Sequence, residues 1–175
     1  MCSSDLLVAA SQADYVSFID DDDMVSDDFV SSIVRALQER PDMVGFEQSF
    51  TEDGVLQVPV HIDLRCGSWY EEPDAIWRDI SHLAPIRREL ARSARFLPNQ
   101  VRRSQFVSGA EDWVEYGEDR AWVDQMRSVV KTQVYVPRVL YRYQHSMANF
   151  CLSERFRTPM TEHPPRPEYP FVTWL

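Results

Sequence analysis

Four aspartates stand in a row at residues 20–23, directly after the apolar run YVSFI and just ahead of a segment with helical spacing. Adjacent carboxylates repel one another, and four of them at the mouth of a buried strand cost stability unless something cationic joins them. Their oxygens are hard ligands, so a divalent metal is the partner this chemistry implies. A second acidic pair, Glu118 and Asp119, follows Gly117. Carboxylates there favour a helix start through the dipole, and one of them is also able to take a proton from an attacking hydroxyl.

These groups need elements to hold them. YVSFI (15–19) is a compact β-rich run of the kind buried in a parallel sheet, and Ser4 is placed to cap a short helix through SDLLVAASQA before it. After the aspartates, Ser26 caps a helix through DDFVSSIVRALQER, where Phe29, Ile33, Val34 and Leu37 recur at helical spacing, and Pro41 stops it. Residues 43–50 and 54–62 read as a hairpin turning at TEDG, with Pro59 placing the second strand at an edge. Helices are predicted over 86–96 and 118–130, and strands in TQVYV and VLYRYQ on either side of Pro137. Helices alternating with strands make an α/β domain over 1–150. The stretch 151–175 is Pro-rich, with Pro159, Pro164, Pro165, Pro167 and Pro170, and predicts an extended tail whose aromatics pack on the domain or dock on a partner.

Composition bounds the function. The chain has 175 residues, enough for one domain with a real core. A formal net charge of −10 argues against non-specific nucleic-acid binding, so phosphate contact would need a metal or a local arginine cluster. Cys2, Cys66 and Cys151 are odd in number and have no metal-like spacing, which fits free thiols in a reducing compartment. No basic segment ahead of a long apolar run and no run of eighteen apolar residues occur in the sequence, so neither a signal peptide nor a membrane span is predicted and a cytoplasmic location is expected.

Two enzyme families share features with the aspartate segment. A calcium loop of the EF-hand type is excluded, because counting from Asp20 the sixth position is Val25 and the twelfth is Ser31. Asp21, Asp23 and Val25 are similar to the nucleophile, acid and β-branched residue of haloacid dehalogenase phosphatases, although Lys131 falls after GEDRAWVD, the wrong order for that family. The fuller likeness is to the family-2 glycosyltransferases of the GT-A fold. ADYVSFIDDDDMVSDDFVSSIVRAL resembles their strand, DxD turn and helix, GEDRAW (117–122) their Glu-Asp motif, and SHLAPIRREL and YRYQHSMANF echo the family more weakly.

That resemblance implies a partial GT-A, Rossmann-like mixed sheet with flanking helices, and a metal-dependent inverting transfer of a sugar from a nucleotide-sugar donor to an acceptor hydroxyl. It implies Asp20 and Asp22 as the DxD pair, with Asp22 a direct metal ligand and Asp20 or Asp21 nearer the ribose or a metal-bound water. It further implies His145 as a late ligand to the metal or diphosphate, Asp119 as general base and Glu118 as its understudy. Trp122 is either an apolar wall against a sugar ring or a core residue. Arg87 and Arg88 are either phosphate contacts or an exposed helix face. The family has about a hundred residues of nucleotide-binding strands and helices before the DxD strand, where this chain has fourteen. The expectation is therefore the C-terminal two-thirds of the family fold, with the missing half supplied by a longer reading frame or a partner chain, or donor binding lost altogether to leave a silent binding module. An edge left open beside YVSFI would favour self-association.

Overall fold

The computed structural model describes residues 3–97, 100–102, 113–115, 118–145 and 172–174, with side chains for 4–97 and 119–144. Helix α1 (Ser3–Ala10) precedes two short strands, β1 (Tyr15–Val16) and β2 (Met24–Val25), which bracket the aspartates. Helix α2 (Phe29–Ala36) leads into β3 (Met43–Glu52), then β4 (Val55–Leu56) and β5 (Val60–Ile62). A ribbon of β6 (Tyr70–Glu72) and β7 (Ala75–Arg78) is followed by β8 (Ile86–Arg87) and the single turn α3 (Arg88–Ala91). The pair β9 (Gln100–Arg102) and β10 (Trp113–Glu115) precedes α4 (Glu118–Met126), β11 (Gln133–His145) and β12 (Val172–Trp174).

The spine of the main sheet is the parallel pair β3 and β11, in register from Met43 opposite Gln133 to Glu52 opposite His145. On the other side of β3, Met43 pairs with Ile86 of β8, and residues 46–48 pair with β5. Outside these lie β1 on β8, and β7 then β6 on β5. β2 and β12 pair with β11. The sheet is therefore mixed and flanked by helices, the expected fold class. Its core gathers Met43, Phe46, Ile62, Ile86, Leu140 and Met126 around the spine. Phe29, Ile33 and Ala36 form the buried face of α2, and Phe29 meets Phe46 edge-on with ring centroids 6.1 Å apart.

Several expectations are corrected by packing. YVSFI is not a buried parallel strand: only Tyr15 and Val16 pair, antiparallel to β8, and both are half-buried. Their outer edge carries no strand among the described residues and borders a groove of about 310 Å³ lined by Leu7, Val8, Ser11 and Phe18, among others. The hairpin forms at Asp53 and Gly54, whose φ values of 48° and 80° suit a tight primed turn. Pro59, however, falls in the break between β4 and β5, so β5 is an interior strand between β3 and β7 rather than an edge. Ser26 does not cap α2. Its hydroxyl donates to Asp28 Oδ1 at 2.8 Å, and Asp28 is the residue at the helix start. Residues 86–96 supply β8 and one helical turn instead of a long helix, and α4 ends at Met126. Pro137 does not divide two strands, because β11 passes through it with register shifts between Val136 and Tyr141 that absorb the missing N–H.

Candidate active site

The aspartate turn is stapled to β11. Asp23 N donates to Asp20 O at 3.2 Å and closes the turn. The Asp23 carboxylate accepts from Tyr141 Oη at 2.8 Å and from the backbone N of Gln144 at 2.7 Å. Tyr141 Oη in turn accepts from Asp20 N at 3.1 Å, and Gln144 Nε2 donates to Asp22 O at 3.0 Å. Burial pushes the Asp23 carboxyl above its ordinary range, against the lowering effect of the bonds from Gln144 and Tyr141. Burial likewise raises the Tyr141 phenol, so it stays a donor. Asp23 is thus occupied in holding the turn, while Asp21 and Asp22 are exposed at its tip and Asp20 is half-buried.

What Asp20 faces is His82. Asp20 Oδ2 lies 3.6 Å from His82 Nε2, and Asp119 Oδ2 lies 3.8 Å from His82 Nδ1. Both separations exceed a formed hydrogen bond, so the contacts are electrostatic. Only an imidazolium is able to donate to both carboxylates. The nearby His82 ring holds the Asp20 carboxyl below its usual range, opposed by burial and helped by the charge of Arg78. Nδ1 of His82 is buried without a hydrogen-bond partner among the described residues.

Two anchors place these groups. The Asp119 end of α4 is fixed by Trp122 and Met126, both fully buried, with Trp122 stacked on Phe96 at 5.2 Å. Beyond the helix end, Arg127 clasps the buried Asp79, with Nε to Oδ2 at 2.5 Å and Nη2 to Oδ1 at 3.1 Å. The segment from Asp79 to His82 is thereby tied to the element that carries Asp119. Phe18 N donates to His82 O at 3.3 Å and Ser17 Oγ to Leu83 O at 2.6 Å, which ties the same segment to the approach to the aspartates.

Of the residues singled out in the sequence, Asp20 and Asp119 are brought to one imidazole, with Asp21 and Asp22 on the adjoining turn. Glu118 begins α4 and His145 ends β11, directly after Gln144, but the side chains of both lie outside the described residues. Trp122 is a core residue and not a wall of the site. Arg87 donates to the carbonyls of Arg40 and Pro41, and Arg88 to those of Ala13 and Ser11, so both tie down backbone rather than forming an open helix face. His82 was not anticipated. The signal available in the sequence was a single imidazole in SHLAP, a short stretch otherwise composed of small and apolar residues.

Among the described residues no three His, Cys, Asp or Glu side chains converge as a metal-binding group. Magnesium-like sites are commonly built from one or two carboxylates plus substrate phosphates and water. The carboxylates of Asp20, Asp21 and Asp22 fit that pattern by donor chemistry, and the lowered Asp20 carboxyl is ionised at neutral pH. No described helix is long and apolar enough to cross a membrane.

The model of the family described as Glycosyl transferase family 2 matches residues 5–94. That span takes in the aspartate turn, the hairpin, the β6–β7 ribbon and His82, and stops short of Asp119. No curated protein and no solved structure matches the chain. With just over half of its length matched, and a mixed α/β sheet consistent with a partial GT-A fold, the chain belongs to glycosyltransferase family 2.

Proposed function

We propose that this chain carries a metal-dependent, inverting transfer of a sugar from a nucleotide-sugar donor to an acceptor hydroxyl, with Asp119 as general base. The observation that supports this reading is the shared imidazole: the aspartate turn and the start of α4 face one another across His82. In such a transfer, Asp119 takes the proton of the acceptor hydroxyl as its oxygen bonds to the anomeric carbon. The bond from that carbon to the diphosphate breaks on the opposite face, and the electron pair leaves with the nucleoside diphosphate. Asp20 and Asp22 would hold Mn²⁺ or Mg²⁺, with Asp21 beside the ribose and His145 as a late ligand; the ion supplies positive charge where negative charge develops on the leaving oxygens. His82 lies between the two carboxylate regions and keeps them at a fixed separation.

Nucleoside diphosphate release from UDP-, GDP- and dTDP-sugars with Mn²⁺ tests the reading in the chain, or in the chain joined to a donor-binding half if it requires one. Asp119→Asn is expected to lower turnover by about 10²- to 10⁴-fold, the usual share of general-base catalysis, while Glu118→Gln costs much less. Equal turnover in Asp119→Asn and the parent would remove Asp119 as base. Absence of turnover in a complete protein would leave a silent sugar-binding module.

A further inference from the structure

The β6–β7 ribbon ends in a pair of side chains that the transfer chemistry above does not use. Tyr70 pairs with Trp77 and Glu71 with Ile76, so continuing the antiparallel register sets Trp69 opposite Arg78. The Arg78 guanidinium carbon lies 5.1 Å from the centroid of the Trp69 ring, and that ring is 39% exposed. The guanidinium lies over the indole in a cation–π contact, which favours one orientation of the ring. Among the described residues, Arg78 makes no ion pair or side-chain hydrogen bond, so its five donors are open to oxygen acceptors from outside the chain.

The ribbon end sits beside the candidate site. Arg78 immediately precedes Asp79, which Arg127 clasps, and the same segment continues to His82 between Asp20 and Asp119. The charge of Arg78 is also felt by Asp20 and by Tyr143, the neighbour of Tyr141 two residues on along β11.

We propose that Trp69 and Arg78 form the acceptor subsite, in which the apolar face of a neutral pyranose ring lies on the part of the Trp69 indole that Arg78 leaves exposed and its rim hydroxyls accept hydrogen bonds from the adjoining guanidinium. A pyranose has one face rich in C–H and a rim of hydroxyls, and it matches an aromatic plane flanked by a fork of N–H donors. A neutral ring is favoured over an acidic one because the adjoining aspartate turn and the net charge of −10 repel anions. The assignment of the ring to the acceptor rests on the glycosyl-transfer reading, whereas the binding itself does not.

The test follows the Trp69 indole N–H resonance in ¹⁵N-labelled protein, assigned with Trp69→Phe. The ligands are neutral disaccharides ending in glucose, galactose or N-acetylglucosamine, added without donor or metal. At least one is expected to shift the Trp69 signal saturably. Trp69→Ala should weaken that binding at least tenfold, Arg78→Met severalfold, and Trp69→Tyr should keep most of it. Arg35→Gln, on the exposed face of α2, should bind sugar as the parent does. The proposal is overturned if no disaccharide moves the Trp69 resonance, or if Trp69→Ala binds sugar as well as the parent while its spectrum shows an intact fold. Failure of the transfer assay alone, with Trp69-dependent binding retained, would sink the enzyme reading and keep the subsite. Turnover with an unchanged acceptor KM in Trp69→Ala would do the reverse.

Discussion

The carboxylates of Asp20 and Asp119 lie at the two nitrogens of one imidazole, 3.6 Å and 3.8 Å from His82. One group ends the approach from the first sheet strand and the other starts the last described helix, so their meeting is a property of the sheet and not of any local motif. The transfer proposed above needs a carboxylate on the leaving-group side and another near the acceptor hydroxyl, and the spacing of these two groups across His82 is compatible with it.

Divalent ion should stabilise the folded chain. A ligand that binds only the native state, present at about a hundred times its dissociation constant, adds about 2.7 kcal/mol. Thermal melts with Mn²⁺ and with a chelator should therefore separate, and the double change Asp20→Asn with Asp22→Asn should close the gap. Identical melts for the parent in the two conditions would remove the metal from the mechanism.

Tyr141→Phe isolates the staple of the aspartate turn. The phenol is fully buried, donates to Asp23 and accepts from Asp20 N, so its removal leaves a half-buried carboxylate one bond short. A loss of about 1–3 kcal/mol is expected in denaturant unfolding, with a smaller Mn²⁺ shift because the turn is no longer fixed. Unchanged stability and an unchanged shift would show that Gln144 alone suffices.

Arg127→Met should strand Asp79, whose side chain is only 4% exposed. Leaving a buried carboxylate without its partner costs about 3 kcal/mol or more. Changing Asp79 to Asn as well should recover much of that loss, because the remaining group carries no charge. A double-mutant cycle by urea unfolding measures the coupling, and simple additivity of the two changes would contradict a specific pair.

Burial pushes the Cys66 thiol up to about 12 from its ordinary value of 9.0. Above the ordinary value the unfolded chain releases this proton while the folded chain keeps it, so the native state binds more protons and stability falls as pH rises from 9.0 towards about 12. Cys66→Ser should flatten that part of the pH profile. In the native parent at neutral pH, iodoacetamide should spare Cys66 and label it on unfolding, read by peptide mass.

The sequence by itself determined the local pieces. Four acids after an apolar run marked a turn, Asp53-Gly54 marked a hairpin, and the 3.6-residue recurrence of Phe29, Ile33 and their neighbours marked α2; each is set by interactions within a few residues. Tertiary structure decided the rest. YVSFI looked buried because apolar content reports burial and not strand length or direction, and pairing with β8 limited it to two residues. Pro59 and Pro137 looked like edge and break signals, yet one fell between strands and the other became a bulge, because neighbouring strands satisfy the backbone around a missing N–H. His82 carried no periodic signal at all. Its role depends on β1, β8 and α4 converging, and the attraction between an imidazole and two carboxylates acts across space with no trace in the spacing of residues along the chain.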